Sequence, residues 1–250
     1  MLPVLIIYLL ISIEQLYLLM KIFSCFFLLL YVNNNFAQDS SRILIKADQL
    51  PSEVLTPEKI YQYPKFSPGK IIFRDQTSSE APLNYNYLNS EIEFIDQKND
   101  TLAIAKHQML NIQRIIVNKD TFYYDNGYLQ QVLQTPVGIL AKRLMLVVLK
   151  REKLGAYNQP ASTTNVESME YFRDYYGSIT TTLKVRENIT MVYRNEFFIG
   201  DNYYSFLPAN KKNLLKLFPS RKAILNNYLR ENEVDFKNSD HLKKLFLLLK

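Results

Sequence analysis

The sequence predicts an α+β protein in which an antiparallel β-meander is followed by a small C-terminal helical unit. The β-rich domain is predicted over residues 61–207, and from residue 69 to about residue 150 short strand-like runs are separated by turn residues every eight to twelve positions, as in an antiparallel sheet. The composition, with 18 Tyr and 15 Phe but 6 Gly and no Trp, suits half-buried strands. After Pro208 the apolar spacing changes to that of helices.

The predicted strands before residue 125 come in hairpins. In each run apolar and polar side chains alternate, so one face of the sheet is buried and the other is solvated. The runs occupy residues 70–75, 91–96, 101–104, 114–117 and 121–124. Residues 97–100 and the pair Asn118-Lys119 supply turns between them. Such a sheet could curl into a barrel-like or half-barrel shape.

The clearest turn signal is Asn126-Gly127, which separates residues 121–124 from residues 128–133. Asn and Gly tolerate the positive φ that a type I′ turn requires at both central positions. The pair therefore predicts a hairpin.

Residues 139–150 form a long apolar run that we interpret as a central strand, with a buried helix as the alternative that periodicity cannot exclude. A polar loop is predicted in residues 155–168 and a short helix over residues 166–176. Strand patterns then return at residues 180–186, 190–199 and 203–207, with a turn at residues 200–202.

Residues 208–250 are predicted to form the helical unit. Its first two helices have an apolar face at Leu214, Leu215, Phe218, Ile224, Leu225, Tyr228 and Leu229. Ser220 is placed to cap the second helix. A third helix is predicted from Ser239 or Asp240, with Leu242, Leu245, Phe246 and Leu249 on one stripe. These faces need a partner, and we expect it to be the preceding sheet.

The N-terminus has the three-part pattern of a secretory signal peptide. Basic Lys21 precedes an apolar stretch at residues 22–32, and a polar segment then leads to Ala37. We predict a cleaved signal over residues 1–37, with residues 1–19 as an upstream extension, and a linker over residues 38–60. The alternative is a retained membrane anchor, since the apolar run of residues 16–32 approaches the shortest span of a bilayer.

Cleavage would remove Cys25, the single cysteine, and with it disulfides and cysteine-based metal sites. The chain has a net charge of +6, and the segment removed carries one acid and one base, so the charge is unchanged. This excess favours either anionic envelope surfaces or simple solubility. Export argues against a nucleic-acid partner.

Several short motifs are spread along the chain. The first is Tyr-x-Tyr-Pro-x-Phe-x-x-Gly, followed by Asn-Tyr-Asn, and these are Tyr61, Tyr63, Pro64, Phe66, Gly69, Asn84, Tyr85 and Asn86. Others are the Phe-Ile-Asp turn at residues 94–96 with Asp-Thr-Leu at residues 100–102, and residues 149–158 and 211–224. In these motifs the chain resembles uncharacterised exported, signal-peptide-bearing proteins of Bacteroidetes-type bacteria. The resemblance implies an envelope location and a shared fold, and it implies no activity.

Signals for catalysis are weak. His107 and His241 are far apart in sequence, which argues against a metal site, and no nucleotide, dinucleotide or serine-hydrolase motif predicts a cofactor or a nucleophile. An acidic cluster at Glu167, Glu170 and Asp174 would align on one helix face, either for acid-base work or as a solvated surface. A basic patch comprises Lys211, Lys212, Lys216, Arg221 and Lys222.

We therefore expect a non-catalytic exported cell-envelope protein that binds an envelope protein, a glycan or an apolar ligand, with membrane contact only through an uncleaved N-terminal segment. The candidate ligand or partner contacts are Tyr61, Tyr63, Phe66, Asn84, Tyr85 and Asn86. The alternatives are an envelope hydrolase that uses the acidic cluster and a membrane-anchored structural protein. An enzyme would bring carboxylates together in a cleft, whereas a binding protein would present a concave surface without them.

Overall fold

The computed structural model describes residues 42–153 and 185–249, in which eleven strands form one sheet. The strands are β1 (Arg42–Ile45), β2 (Ser67–Phe73), β3 (Ser78–Asn86), β4 (Glu91–Ile95), β5 (Thr101–Ala103), β6 (Ile112–Val117), β7 (Asp120–Tyr124), β8 (Tyr128–Thr135), β9 (Gly138–Lys153), β10 (Glu187–Gly200) and β11 (Phe206–Pro208). The helices are α1 (Pro51–Val54), α2 (Pro57–Ile60), α3 (Lys106–Met109), α4 (Lys211–Leu217), α5 (Lys222–Glu231) and α6 (Ser239–Leu247), with a 3₁₀ turn at Pro219–Arg221.

The strands are ordered β1-β10-β9-β8-β7-β6-β2-β3-β4-β5, β11 also pairs with β10, and every pairing is antiparallel. The predicted α+β class is therefore confirmed. Tight turns join most consecutive strands, and most of these turns contain a residue with positive φ, which lets the chain reverse over a few residues. These residues are Gln76, Ser90, Asn99, Asn118, Asn126, Gly127 and Tyr204, whereas the two-residue turn between β8 and β9 contains none.

The sheet is curled but not closed. β3 and β9 are separated by four other strands in the sheet order, yet the amide of Leu146 in β9 donates to the carbonyl of Tyr87, just after β3, at 2.9 Å. The hydroxyl of Tyr85 also donates to the carbonyl of Leu144 at 3.0 Å. The order nevertheless begins at β1 and ends at β5, so these bonds bring two distant strands together without completing a ring.

One hydrophobic core lies on a face that six of the strands share. It joins alternate residues of β2, β3, β4, β6, β7 and β8, which the period of two places on the same face. The buried members include Ile71, Leu83, Tyr85, Ile92, Ile115, Phe122 and Tyr128. Within this core the rings of Tyr85 and Phe122 stack with centroids 5.6 Å apart.

The C-terminal helices pack on one end of the sheet, as the helical spacing predicts. Their fully buried residues, Leu214, Leu225, Leu242, Leu245, Phe246 and Leu249, join Leu140 of β9 and Ile199 of β10 in one cluster. Ile224 departs from the predicted apolar face and is 47% exposed. Helix α6 begins at Ser239, where the side chain of Asn238 accepts from two backbone amides.

Ser220 does not cap the second helix as expected. It lies inside the 3₁₀ turn that begins at Pro219, and this turn leads directly into α5. Residue Arg221 stands at the N-cap without a side-chain hydrogen bond to the helix. Because the preceding turn is already helical, α5 does not need the extended cap residue that a free helix start requires.

The segment expected to be a linker, residues 38–60, instead contains β1, α1 and α2. Residue Ile45 of β1 pairs with Ile189 of β10, and both side chains are fully buried. The four-residue strand Arg42–Ile45 is too short to give a clear period in the sequence, and it is stabilised by pairing with β10 and by burial of Ile43 and Ile45 in a shared core cluster.

Two other predictions have clear outcomes. Residues 139–150 belong to the long strand β9, which confirms the strand over the helix alternative. The Asn126-Gly127 hairpin also forms, with φ of 49° and 131°, but Tyr124 pairs with Tyr128, so the loop has three residues instead of two. The last strand starts at Phe206, later than predicted.

The signal peptide, the loop over residues 155–168, the helix over residues 166–176 and most of the strand over residues 180–186 lie outside the described residues. Among the residues that are described, no helix is long and apolar enough to cross a membrane.

Candidate functional site

The motif at residues 61–66 lies against the outer side of β3 and β4. Tyr61 bridges to Asn86, and the amide of Gln62 donates to the carbonyl of Tyr85 at 3.0 Å. Asn84 fixes the next residue, because its Oδ1 accepts from the amide of Tyr63 and its Nδ2 donates to the carbonyl of Tyr63. The side chain of Asn84 and the backbone bridge at Asn86 thus hold an irregular segment against the sheet.

A buried carboxylate stands at the centre of this contact. Glu93 of β4 is 6% exposed. Its Oε2 accepts from the Tyr61 hydroxyl at 2.6 Å, and its Oε1 accepts from the side-chain amides of Asn86 at 2.9 Å and Asn89 at 3.2 Å. Burial, together with the hydrogen bond to Glu93, raises the pKa of the Tyr61 phenol. The carboxylate is therefore a structural centre that three donors satisfy.

Tyr63 makes a second hydrogen-bonded contact with the sheet. Its hydroxyl donates to Oδ2 of Asp120 at 2.5 Å, and Gln62 Nε2 donates to the same oxygen at 3.2 Å. Burial, followed by this hydrogen bond, raises the pKa of the Tyr63 phenol. The pair joins the 61–66 segment to the start of β7.

The structure brings the six candidate contacts together, but it places them in the packing of the chain. Asn84, Tyr85 and Asn86 are each at most 3% exposed. Phe66 packs edge-on to Tyr61, with ring centroids 5.4 Å apart. The polar groups of the asparagines and tyrosines have partners within the chain, so these side chains hold the half-buried 61–66 segment against β3 and β4.

A pocket lies elsewhere, between two turns. It has a volume of about 280 Å³ and is bounded by Asn89 and Ser90 in the turn that joins β3 to β4, and by Asn126 and Gly127 in the turn that joins β7 to β8. We call it the turn pocket. Its walls include Ser90, Glu91, Tyr124, Tyr128, Arg143 and Met145.

Three buried polar atoms that belong to residues lining the turn pocket have no hydrogen-bond partner in the described structure. They are Oγ of Ser90, the hydroxyl of Tyr128 and Nε of Arg143. A buried polar group without a partner costs stability, and such groups are uncommon in native proteins. The residues that carry these atoms line one pocket, and this is the feature of the structure that indicates a ligand.

The surroundings of these atoms hold them in place. Tyr128 is 1% exposed, its ring lies edge-on to Tyr124 at 5.2 Å, and burial raises the pKa of its phenol. Arg143 Nη2 donates to the carbonyl of Asp125 at 3.1 Å, and its guanidinium lies 4.9 Å from the centre of the Phe198 ring. The guanidinium is therefore positioned by contacts that leave Nε unused.

Sequence reasoning missed the turn pocket because its residues come from separate strands and turns. Ser90 follows β3, Tyr128 begins β8 and Arg143 lies in β9. The only local signal was Asn126-Gly127. It predicts the hairpin that forms one wall of the turn pocket, but it does not predict the β3–β4 turn that forms the opposite wall.

The remaining candidates form no site among the described residues. Glu167, Glu170 and Asp174 lie outside the described residues. Nδ1 of His241 accepts from the amide of Asp235 at 3.2 Å, and no group of three potential metal-binding side chains occurs in residues 42–153 and 185–249. The lysines of the basic patch are solvent-exposed.

Comparisons of this chain with protein-family models, with curated proteins and with solved structures find no match.

Proposed function

We propose that this chain is a non-catalytic, exported cell-envelope protein that binds a small ligand in the turn pocket. The observation that carries the proposal is the set of three unpartnered buried polar atoms on Ser90, Tyr128 and Arg143. A ligand that bonds to these atoms would remove the cost of leaving them unpaired.

The form of the pocket supports a binding role. Small-ligand sites are concave and carry a few well-placed polar groups, and the turn pocket lies near the lower end of their usual size range. Both of its flanking turns connect strands of the same sheet, so the walls are attached to a rigid frame. A preorganised pocket of this kind binds without a large loss of loop entropy.

The binding role is tested by a thermal-shift screen of the full chain against small neutral, anionic and cationic molecules. We expect at least one compound to raise the unfolding temperature, and to raise it less in Tyr128→Phe, which keeps the ring and removes the hydroxyl. If no compound of any charge class stabilises the protein, the binding proposal is wrong.

The proposal of export rests on the pattern of Lys21, the apolar residues 22–32 and Ala37. Intact-mass measurement and fractionation of the native protein test it. A mass that lacks residues 1–37, in a periplasmic or secreted fraction, is the expected result. A full-length mass in the membrane fraction would instead favour an anchored protein.

A further inference from the structure

We infer that the turn pocket binds a neutral polyhydroxylated ligand of about the size of one sugar ring, that is, a single unit of a carbohydrate. This inference rests on the proposed binding function and names the chemical class of its ligand. It follows from the kinds of polar group that line the pocket, from their signs of charge and from the pocket's size.

The hydrogen-bonding groups of the pocket are mixed in character. Nε of Arg143 can only donate, the hydroxyls of Ser90 and Tyr128 can donate or accept, and the carboxylate of Glu91 accepts when ionised. A ligand that satisfies the three unpartnered atoms of Arg143, Ser90 and Tyr128 must present an acceptor and hydroxyl-type partners within a short distance. A hydroxyl group is both, and a ring with several hydroxyls offers them in different directions.

The charges of the pocket argue against a simple ion. An anion would be attracted by Arg143 but repelled by Glu91, and a cation would be attracted by Glu91 but repelled by Arg143. With one charge of each sign in the lining, a neutral ligand has no net repulsion to overcome. Charged side chains still bond strongly to a neutral hydroxyl.

The size and the apolar parts of the walls fit the same class. A volume of about 280 Å³ admits a small molecule and not a long chain. The Tyr124 ring and the Met145 side chain give apolar surface against which the C–H face of a sugar can pack.

The test is ligand-observed saturation-transfer NMR on the full chain. The neutral probes are the methyl glycosides of glucose, galactose, mannose and N-acetylglucosamine. Inorganic phosphate and acetate are the anionic probes, and their binding is measured by competition with a bound glycoside. We expect at least one glycoside to receive saturation from the protein and neither anion to displace it. We further expect Ser90→Ala and Tyr128→Phe each to weaken its binding about three- to tenfold, as loss of one hydrogen bond does.

Tyr123→Phe is the matched control. Tyr123 is also a buried tyrosine of the β7–β8 hairpin, but its hydroxyl donates to Oε1 of Gln131 at 2.6 Å and it does not line the turn pocket. We expect this variant to bind the glycoside as the unchanged protein does. Circular dichroism of each variant confirms that a loss of binding is not a loss of folding.

The outcomes separate the two proposals. Binding of an anion that depends on Ser90 and Tyr128, without binding of any glycoside, overturns the carbohydrate assignment and leaves the binding function standing. Glycoside binding that neither variant weakens overturns the assignment to this pocket. Binding of none of the probes overturns the carbohydrate assignment, and the thermal-shift screen then decides whether the pocket binds anything.

Discussion

At the scale of the residue, the tyrosines of this structure differ in whether their hydroxyl groups have a hydrogen-bond partner. The hydroxyls of Tyr61, Tyr63 and Tyr85 all donate to acceptors of the chain, whereas the hydroxyl of Tyr128 has no partner among the described residues. The same side chain therefore has a structural role at three positions and an unexplained one at the fourth. Removal of single hydroxyls distinguishes these roles.

Tyr61→Phe is expected to destabilise the protein by about 1.5 kcal/mol, because it removes a hydrogen bond to the buried carboxylate of Glu93. Tyr203→Phe is the control, since Tyr203 is 88% exposed and its substitution should change little. Urea unfolding of both variants measures the difference. Equal stability of the two would mean that Tyr61 does not support the fold.

Tyr128→Phe is expected to leave the free energy of unfolding unchanged or to raise it by up to about 1 kcal/mol, since it removes a buried hydroxyl that lacks a partner. Tyr123→Phe should lower it by about 1 kcal/mol, because Oε1 of Gln131 then loses its donor. Thermal unfolding in the absence of ligand compares them. A destabilised Tyr128→Phe would show that its hydroxyl serves the fold.

At the scale of the element, β1 is a short strand that contributes to a core cluster although the sequence carries no clear signal for it. Its burial alternates, so that Ile43 and Ile45 point into a cluster with Leu146 of β9 and Ile189 of β10, while Leu44 faces solvent. This strand covers part of an edge of β10 that would otherwise present unpaired backbone groups. It therefore belongs to the folded domain.

The effect of β1 can be measured with two substitutions at adjacent positions. Ile45→Ala should destabilise the protein by about 2 to 4 kcal/mol, as for other fully buried aliphatic side chains. Leu44→Ala, at a position 48% exposed, should stay within about 0.5 kcal/mol of the unchanged protein. Chemical denaturation monitored by circular dichroism provides both values. If both substitutions change the free energy of unfolding only slightly, residues 42–45 behave as a linker and not as part of the folded domain.

At the scale of the whole molecule, the curl of the sheet buries tyrosines contributed by distant strands. The rings of Tyr87, just after β3, and Tyr193 of β10 meet edge-on with centroids 5.7 Å apart. Burial raises the pKa of Tyr87 to about 12, and it raises that of Tyr123 to about 12 as well. The stability of the molecule should therefore depend on pH in the alkaline range.

The sign of this dependence follows from linkage. A tyrosine in the unfolded chain ionises near its ordinary pKa of about 10. Since the folded protein keeps these phenols protonated to higher pH, their contribution to stability is complete below pH 10 and is lost as the pH rises from about 10 to about 12. We expect the absorbance of tyrosinate and the loss of circular dichroism to rise together in this interval. Full ionisation near pH 10 with the fold intact would contradict the burial of these residues.

How much of the fold can be predicted from the sequence also depends on scale. The hairpins could be predicted because each needs only local information, such as alternation and turn residues like Asn126-Gly127. The apolar stripe of α6 could be predicted for the same reason, since its spacing is that of one helix face. The strand β1 could not, because its burial depends on β10, about 150 residues later in the chain.

The sequence by itself determined the α+β class, several of the hairpins and the residue types that fill the core. The tertiary structure alone decided which strands far apart in the chain are neighbours, the curl that joins β3 to β9, and the meeting of Ser90, Tyr128 and Arg143 in one pocket. The physical reason is that alternation and turn chemistry act over a few residues, whereas a pocket requires contacts between side chains that are far apart in the chain and that only the complete packing brings together.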